Sequence, residues 1–200
     1  MFARNPVRIL GLAVAVGLLS CAGTGQADDD VPQVRGALER LAELQPTDIA
    51  VAPIRDQTDG QRVPLDLFRG AFIDTLVERH YSPLSPSYVD ANWVEASFKG
   101  TPPPDALLMV AITSWDPAHL YSTGKVEVSA DVGLFQGGDT TGEVLWQLSL
   151  AHSVDLGDRG RPPAPGEDLI PRAVRLFAQE ALDQLPVRDP VAARKATATQ

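Results

Sequence analysis

Two short, unbroken apolar runs constrain the fold of this chain more than any other feature of its sequence. The runs are Ile49–Ile54 and Ala106–Ile112. A strand that faces solvent on one side alternates apolar and polar residues, whereas an unbroken run fits a strand buried on both faces. Strands of that kind occupy the centre of parallel sheets that helices cover. The two runs therefore predict an α/β fold with a parallel core.

The chain between these runs shows helical periodicity. Pro64–His80 predicts a helix that begins with proline, where the missing N–H costs nothing. The expected apolar stripe of this helix consists of Leu65, Phe68, Phe72, Ile73, Leu76 and Val77. Tyr81–Leu84 predicts a short strand. A second helix, capped by Ser85 or Ser87, is expected to run to about Phe98.

The second half of the chain changes to strict alternation, which predicts an antiparallel hairpin with one buried face. Its buried positions are expected to be Val126, Val128, Ala130, Val132 and Leu134, followed by Val144, Trp146, Leu148, Leu150 and Val154. A last helix, capped by Asp168, carries an apolar stripe of Ile170, Val174, Phe177, Ala181 and Leu185. The expected order is β-α-β-α-β, then the hairpin, then the C-terminal helix. This order predicts a mixed sheet with helices packed against it.

The first 20 residues have the plan of a secretory signal. Arg4 and Arg8 precede the apolar run 9–19, which is shorter than the ~20 residues that span a bilayer. Cys21, the only cysteine, follows this run and resembles the lipid-modified cysteine of a bacterial lipoprotein signal. The alternatives are cleavage after Ala27, or a discarded thiol with no role. Ala22 takes the position next to the cysteine where Asp usually signals retention in the inner membrane, so we expect the outer membrane.

The sequence divides into four parts on this interpretation. Residues 1–20 are the expected signal peptide, and 21–32 are a small, acidic flexible tether. Residues 33–186 form a single α/β domain that begins with a short amphipathic helix over 33–44. Residues 187–200 are an expected disordered tail.

The charge of the chain argues against nucleic-acid binding. The formal net charge is −9, and cleavage before Cys21 removes two arginines and no acid, which makes the mature charge −11. An acidic chain without a Lys/Arg cluster repels phosphate backbones. A single cysteine also excludes an intrachain disulfide.

Four features together resemble a known family. They are the run Ile49–Pro53 after the tether, the apolar strand Ala106–Trp115 that ends in Thr113-Ser114-Trp115, the alternating strand that follows it, and then Thr141–Trp146. The chain resembles putative bacterial lipoproteins of unknown function that share the fold of the TolB amino-terminal domain, which is anticodon-binding-like, and of CsgG. The resemblance implies a lipoprotein on the periplasmic face of the outer membrane, within a transport or secretion assembly. It implies an envelope lipoprotein partner of the CsgG type, and it does not imply catalysis.

Candidate site residues are few. Asp56 and Asp59 lie in the predicted turn 56–60 after a parallel strand, at the end of the sheet where α/β folds often bind ligands. The alternative is a solvated turn. Trp115, at the end of the second predicted strand, is a candidate exposed anchor for a partner. No motif points to a metal, a cofactor or a catalytic set, so we expect a non-enzymatic protein.

The sequence leaves two other functions open. Lipoprotein activators of peptidoglycan synthases use the same fold class, so the chain is alternatively such an activator. A third hypothesis is a periplasmic enzyme that uses Asp56 and Asp59. The sequence does not indicate the oligomeric state.

Overall fold

The structure of the chain is a computed structural model, and it describes residues 40–157 and 168–188. The strands are β1 (Asp48–Val51), β2 (Arg55–Asp56), β3 (Ser82–Pro83), β4 (Trp93–Val94), β5 (Ser97–Phe98), β6 (Ala106–Asp116), β7 (Lys125–Gln136) and β8 (Val144–Asp155). The helices are α1 (Leu65–Glu78), α2 (Pro86–Ala91), α3 (Leu120–Thr123) and α4 (Ile170–Leu182).

The main sheet has the strand order β3-β1-β6-β7-β8, and β2 pairs with β6 beyond the end of β1. β1 runs parallel to both β3 and β6, whereas β6, β7 and β8 are antiparallel to one another. The predicted α/β fold with a mixed sheet, a hairpin and a C-terminal helix is therefore confirmed.

The first apolar run is buried on both faces of the sheet. Ile49 and Val51 belong to the larger hydrophobic core, whereas Ala50 and Ala52 belong to a smaller one. All four side chains are at most 1% exposed. This arrangement explains why the run lacks alternation: each successive side chain points to the opposite face, and each face is covered.

The larger core lies between the sheet and the pair α1 and α4. Phe68 of α1 contacts Phe177 of α4 edge to face, with 5.9 Å between the ring centroids. The five expected inward positions of β7 are buried, which confirms the alternation. The expectation that Val77 belongs to the apolar stripe of α1 is wrong, because its side chain is 55% exposed. Ala71 and Thr75 complete the buried face of α1 instead.

A β-bulge alters the start of β8. The register shifts between Leu134 and Phe135, so that Leu134 lies opposite Trp146 and Phe135 lies opposite Val144. The additional residue on β8 is Leu145, which is fully buried, while Val144 is 43% exposed. The expectation that Val144 lies inside is therefore wrong, because a bulge interrupts the two-residue period of a strand.

The second predicted helix is shorter than expected. Ser85 caps α2 by accepting a hydrogen bond from the Tyr88 N–H, as predicted, but α2 ends at Ala91 instead of about Phe98. The remaining residues form the small antiparallel pair β4 and β5. Glu95 and Ala96 join these strands with positive φ values of 49° and 63°, a conformation that a helix cannot include.

The N-terminal part of the expected domain is described from residue 40 onward, where 40–44 is helical. Arg40 is 3.4 Å from the Glu143 carboxylate, which brings the entry of the chain beside the start of β8. The expected signal peptide, Cys21, the tether, the first part of the 33–44 helix and residues 189–200 of the tail lie outside the described residues. Within the described part, no helix is long and apolar enough to cross a bilayer.

The start of β1 depends on one carboxylate. The Asp105 side chain accepts hydrogen bonds from the Thr47 N–H at 2.7 Å and from the Asp48 N–H at 3.0 Å. We expect Asp105→Ala to lower the free energy of unfolding by about 1–3 kcal/mol, since it leaves the Thr47 and Asp48 N–H groups without their charged acceptor. Urea unfolding measures the change. Asp74→Ala, on the exposed side of α1, is the control and should change stability by less than about 0.5 kcal/mol.

Candidate functional site: a groove on the uncovered face of the sheet

The face of the sheet opposite α1 and α4 is covered only in part. Over β3, β1 and the first half of β6, the segment from α2 to β5 covers it and encloses the smaller core. On β7 and β8 the residues of this face are mostly exposed or half-buried. A groove of about 320 Å³ lies at the border between the covered and the uncovered parts.

The floor of the groove is apolar. It is formed by Met109 and Ala111 of β6, and by Gly133 and Phe135 of β7. A Cβ atom on Gly133 would lie 2.8 Å from the Phe135 ring, so the ring lies across the glycine. Met109 is 9% exposed and Phe135 is half-buried. The glycine therefore allows an aromatic ring to lie flat along the sheet.

The walls of the groove carry opposite charges. Arg55 of β2 is exposed, and the structure shows no ion pair between it and another described residue. Asp131 of β7 accepts a hydrogen bond from the Ser149 hydroxyl at 2.7 Å, which occupies one of its oxygen atoms. An apolar floor between a cation and an anion suits a ligand that offers an apolar group beside groups that pair with each charge.

Asp56 is tied into the turn that follows β2. Its carboxylate accepts hydrogen bonds from the Thr58 hydroxyl at 2.7 Å and from the Thr58 N–H at 2.9 Å. These bonds lower the pKa of the Asp56 carboxyl below its usual value. Asp59 lies three residues further, exposed in the same loop. Neither carboxylate lines the groove, and their predicted role in partner binding stays a prediction.

The expectation of an exposed Trp115 is wrong. Its side chain is 3% exposed and contacts the Phe68 ring edge to face at 5.4 Å. The reason is a bulge in β6: Ile112 lies opposite Ala130, and Ser114 lies opposite Ser129, so Thr113 is the additional residue. The bulge shifts the alternation by one position and turns Trp115 toward the helices. Trp115 therefore belongs to the core and offers no surface anchor.

The structure does not bring the predicted site residues together. The Trp115 backbone N–H donates to the side-chain oxygen of Gln61, which follows the 56–60 turn, at 2.8 Å, whereas the Trp115 side chain lies in the core. His152 is half-exposed on β8 and lies 3.0 Å from Glu180 of α4. Among residues 40–157 and 168–188, no group of three metal-ligating side chains lies together.

The sequence contained a signal for the groove that periodicity alone did not isolate. Within the unbroken run of β6, the alternate residues Met109 and Ala111 share the outer face with Gly133 and Phe135 of β7. On the outer face of β7, Gly133 lies between Asp131 and Phe135. A glycine inside a strand often marks a place where another group lies close to the backbone. Arg55 could not be placed from the sequence, because it lies between the predicted strand 49–54 and the predicted turn 56–60, and no strand is expected there.

Comparison with known proteins gives structural likenesses of low similarity. The chain matches no protein-family model and no curated protein. It is similar to the PelC dodecamer from Paraburkholderia phytofirmans, with 14% identity, a TM-score of 0.43, and coverage of 71% of this chain and 90% of that one. It is also similar to lipoprotein GNA1162 from Neisseria meningitidis, with 15% identity, a TM-score of 0.44, and coverage of 70% and 99%.

A third similar structure is the LpoB C-terminal domain from Salmonella enterica, with 12% identity and a TM-score of 0.37. The match covers 59% of this chain and 96% of that one. Bacterial lipoproteins are thus among the similar structures. At TM-scores below 0.5 these likenesses carry no argument about function, which has to come from the residues of this chain.

Trp115→Ala should be strongly destabilising. Truncation of a buried tryptophan leaves a cavity, so we expect a loss of about 3–5 kcal/mol in the free energy of unfolding, measured by urea denaturation. Tyr121→Ala is the control, because the Tyr121 side chain is 52% exposed, and it should cost less than about 1 kcal/mol. A loss below 1 kcal/mol for Trp115→Ala would contradict the buried position.

The turn at Asp56 gives a prediction about pH. Thr58→Val removes the hydroxyl donor, so the pKa of Asp56 should rise toward its ordinary value, measured by NMR titration of the carboxyl carbons. Since the folded-state pKa is below the unfolded one, the contribution of this turn to stability is present at neutral pH. It is lost as the pH falls through the folded-state pKa.

An internal control for this titration is Asp139, whose pKa is lowered by the same kind of bonds from Thr141. The pKa of Asp139 should stay unchanged in Thr58→Val. An unchanged pKa of Asp56 in this variant would show that the hydroxyl bond does not cause the shift.

Proposed function

We propose that this chain is a lipid-anchored, non-enzymatic binding component of a bacterial envelope assembly, held on the periplasmic face of the outer membrane. The observation that carries the binding role is the groove, which is apolar at its floor and has opposite charges on its walls. The anchor is supported by the position of Cys21 directly after the apolar run 9–19. The lipoproteins among the similar structures add no support to this proposal, because their TM-scores are below 0.5.

The chemistry of the groove favours binding over catalysis. Its ionisable side chains are Arg55 and Asp131, and the described histidines lie outside its lining. A hydrolase needs a nucleophile, a base and an orienting group within hydrogen-bond reach of one another. We infer that the groove holds an extended segment of a partner protein. The fitting segment carries an apolar side chain between an acidic group, which pairs with Arg55, and a hydrogen-bond donor, which reaches Asp131.

Cys21→Ser tests the anchor. In the native chain, mass spectrometry should show a mature protein that begins with lipid-modified Cys21, and membrane fractions should contain it. The variant should be released as a periplasmic protein, because a thioether-linked lipid cannot form on serine. Thr24→Ser is the matched control and should stay with the membrane. Membrane retention of Cys21→Ser, or a mature chain that begins at Asp28, would refute the anchor.

Ala111→Arg tests the groove. Ala111 is half-buried on the floor, so a long cation there should abolish the recovery of a crosslinked partner from intact envelopes. Ser129→Arg, on the same face of β7 but outside the groove lining, should leave recovery unchanged. Recovery of the partner from both variants would contradict the groove as the binding site. A secretion or transport lipoprotein as the recovered partner supports the proposal, whereas a cell-wall synthase supports the activator alternative.

A further inference from the structure

The second strand of the hairpin forms an open edge of the sheet. Among the described residues, β8 pairs with β7 alone, and its other side has no strand partner. The Leu156 N–H bonds to the Gly124 carbonyl at 3.0 Å, and Val126 lies opposite Val154. In an antiparallel pair, bonded residues alternate with residues whose backbone groups point away. The backbone groups of Gln147, Ser149, Ala151 and Ser153 therefore point outward.

This edge has few of the features that usually prevent pairing between molecules. Natural edge strands are protected by Lys, Pro, inward-pointing charges or short length. β8 has 12 residues, and its segment Val144–Val154 contains no Lys, Arg, Asp, Glu or Pro. The bulge at Leu145 changes the pairing only at the start of β8, between Val144 and Trp146. The remainder is a regular edge that another strand can extend.

An incompletely covered apolar strip runs along the same edge. Leu148 and Leu150 point to the helix-covered face of β8 and are only partly buried. Above them, Arg172 of α4 donates to the Leu156 carbonyl, and Glu180 of α4 reaches His152. Leu176 lies midway between these two on the same side of the helix and is also partly buried. An added strand with inward apolar residues would cover this strip.

The occupant must therefore alternate apolar inward residues with small polar outward ones. β8 itself has most of this pattern: Leu148, Leu150 and Val154 are inward, together with His152, which pairs with Glu180 of α4, and Ser149, Ala151 and Ser153 are outward. The segments of this chain outside the described residues fit less well: 158–167 contains three prolines, and 22–32 is rich in Gly and Asp. The C-terminal segment 189–200 follows Arg188, and the Arg188 N–H donates a hydrogen bond to the Arg79 carbonyl at the end of α1.

We propose that β8 pairs antiparallel with β8 of a second copy of this chain, around a twofold axis at Ala151, and that the two sheets become continuous. Such a contact is isologous, with the same patch on each copy. Ser149 then lies opposite Ser153 of the second copy, and Gln147 lies opposite Asp155, so no like charges face each other. This matters because each copy carries a net charge of −9 or lower. The inward apolar strips of the two copies meet below the helices.

Sedimentation of the purified full-length chain in detergent tests the dimer. The native protein should sediment as a dimer, and Ala151→Pro as a folded monomer, because the lost N–H has no bond within the monomer. Ala151→Lys is the second variant if the proline disturbs folding, and it should also be monomeric, since two lysines would meet at the axis. A monomeric native protein, or a dimer that persists in a folded variant, would overturn the proposal.

Crosslinking tests the register. Ala151→Cys should form an intermolecular disulfide on oxidation, whereas Ser129→Cys, opposite Ala151 on β7 and one strand further from the edge, should not. The native chain gives the background of Cys21. Absence of a crosslink at Ala151 overturns the register. The groove lies on different residues, so a monomeric native chain refutes the dimer alone, whereas recovery of the partner from Ala111→Arg refutes the groove alone.

Discussion

The structure depends on the pairing of β6 with two strands of different direction. On one side β6 bonds β1 and β2 in parallel, and on the other it bonds β7 antiparallel over most of its 11 residues. Its first five residues are buried, so both faces of the sheet must be covered at this point. The helices α1 and α4 cover one face and the α2–β5 segment covers the other. The groove forms where that second cover ends.

The sequence predicted those features that follow from regular periodicity. The buried run of β1, the inward residues of β7 and the stripe of α4 depend on a constant two-residue or 3.6-residue repeat, and the structure contains them. The departures occur where one residue interrupts the repeat. Thr113 in β6 turns Trp115 into the core, and Leu145 in β8 exchanges places with Val144. No local residue preference announces either bulge.

The early end of α2 also depends on residues that give no signal in the sequence. Glu95 and Ala96 adopt positive φ values without glycine, so the turn between β4 and β5 has no compositional signal. It is stabilised by tertiary contacts, since Trp93 and Phe98 pack into the smaller core. The position of the groove could not be derived from periodicity, because its apolar floor combines alternate residues of β6 and β7, and one wall is Arg55 from a two-residue strand. The alternation identified the uncovered face, but not which part of it is concave.

The ion pair between Arg40 and Glu143 has a consequence for how the domain would be displayed on a membrane. It marks the point where the described chain enters the domain, beside the start of β8. A lipid on Cys21 would hold that point within about 70 Å of the bilayer, since 19 extended residues span no more than this. Molecules confined to such a layer diffuse in two dimensions, and their edges encounter one another far more often than in free solution. Even a weak strand-to-strand contact would then be populated at low copy number.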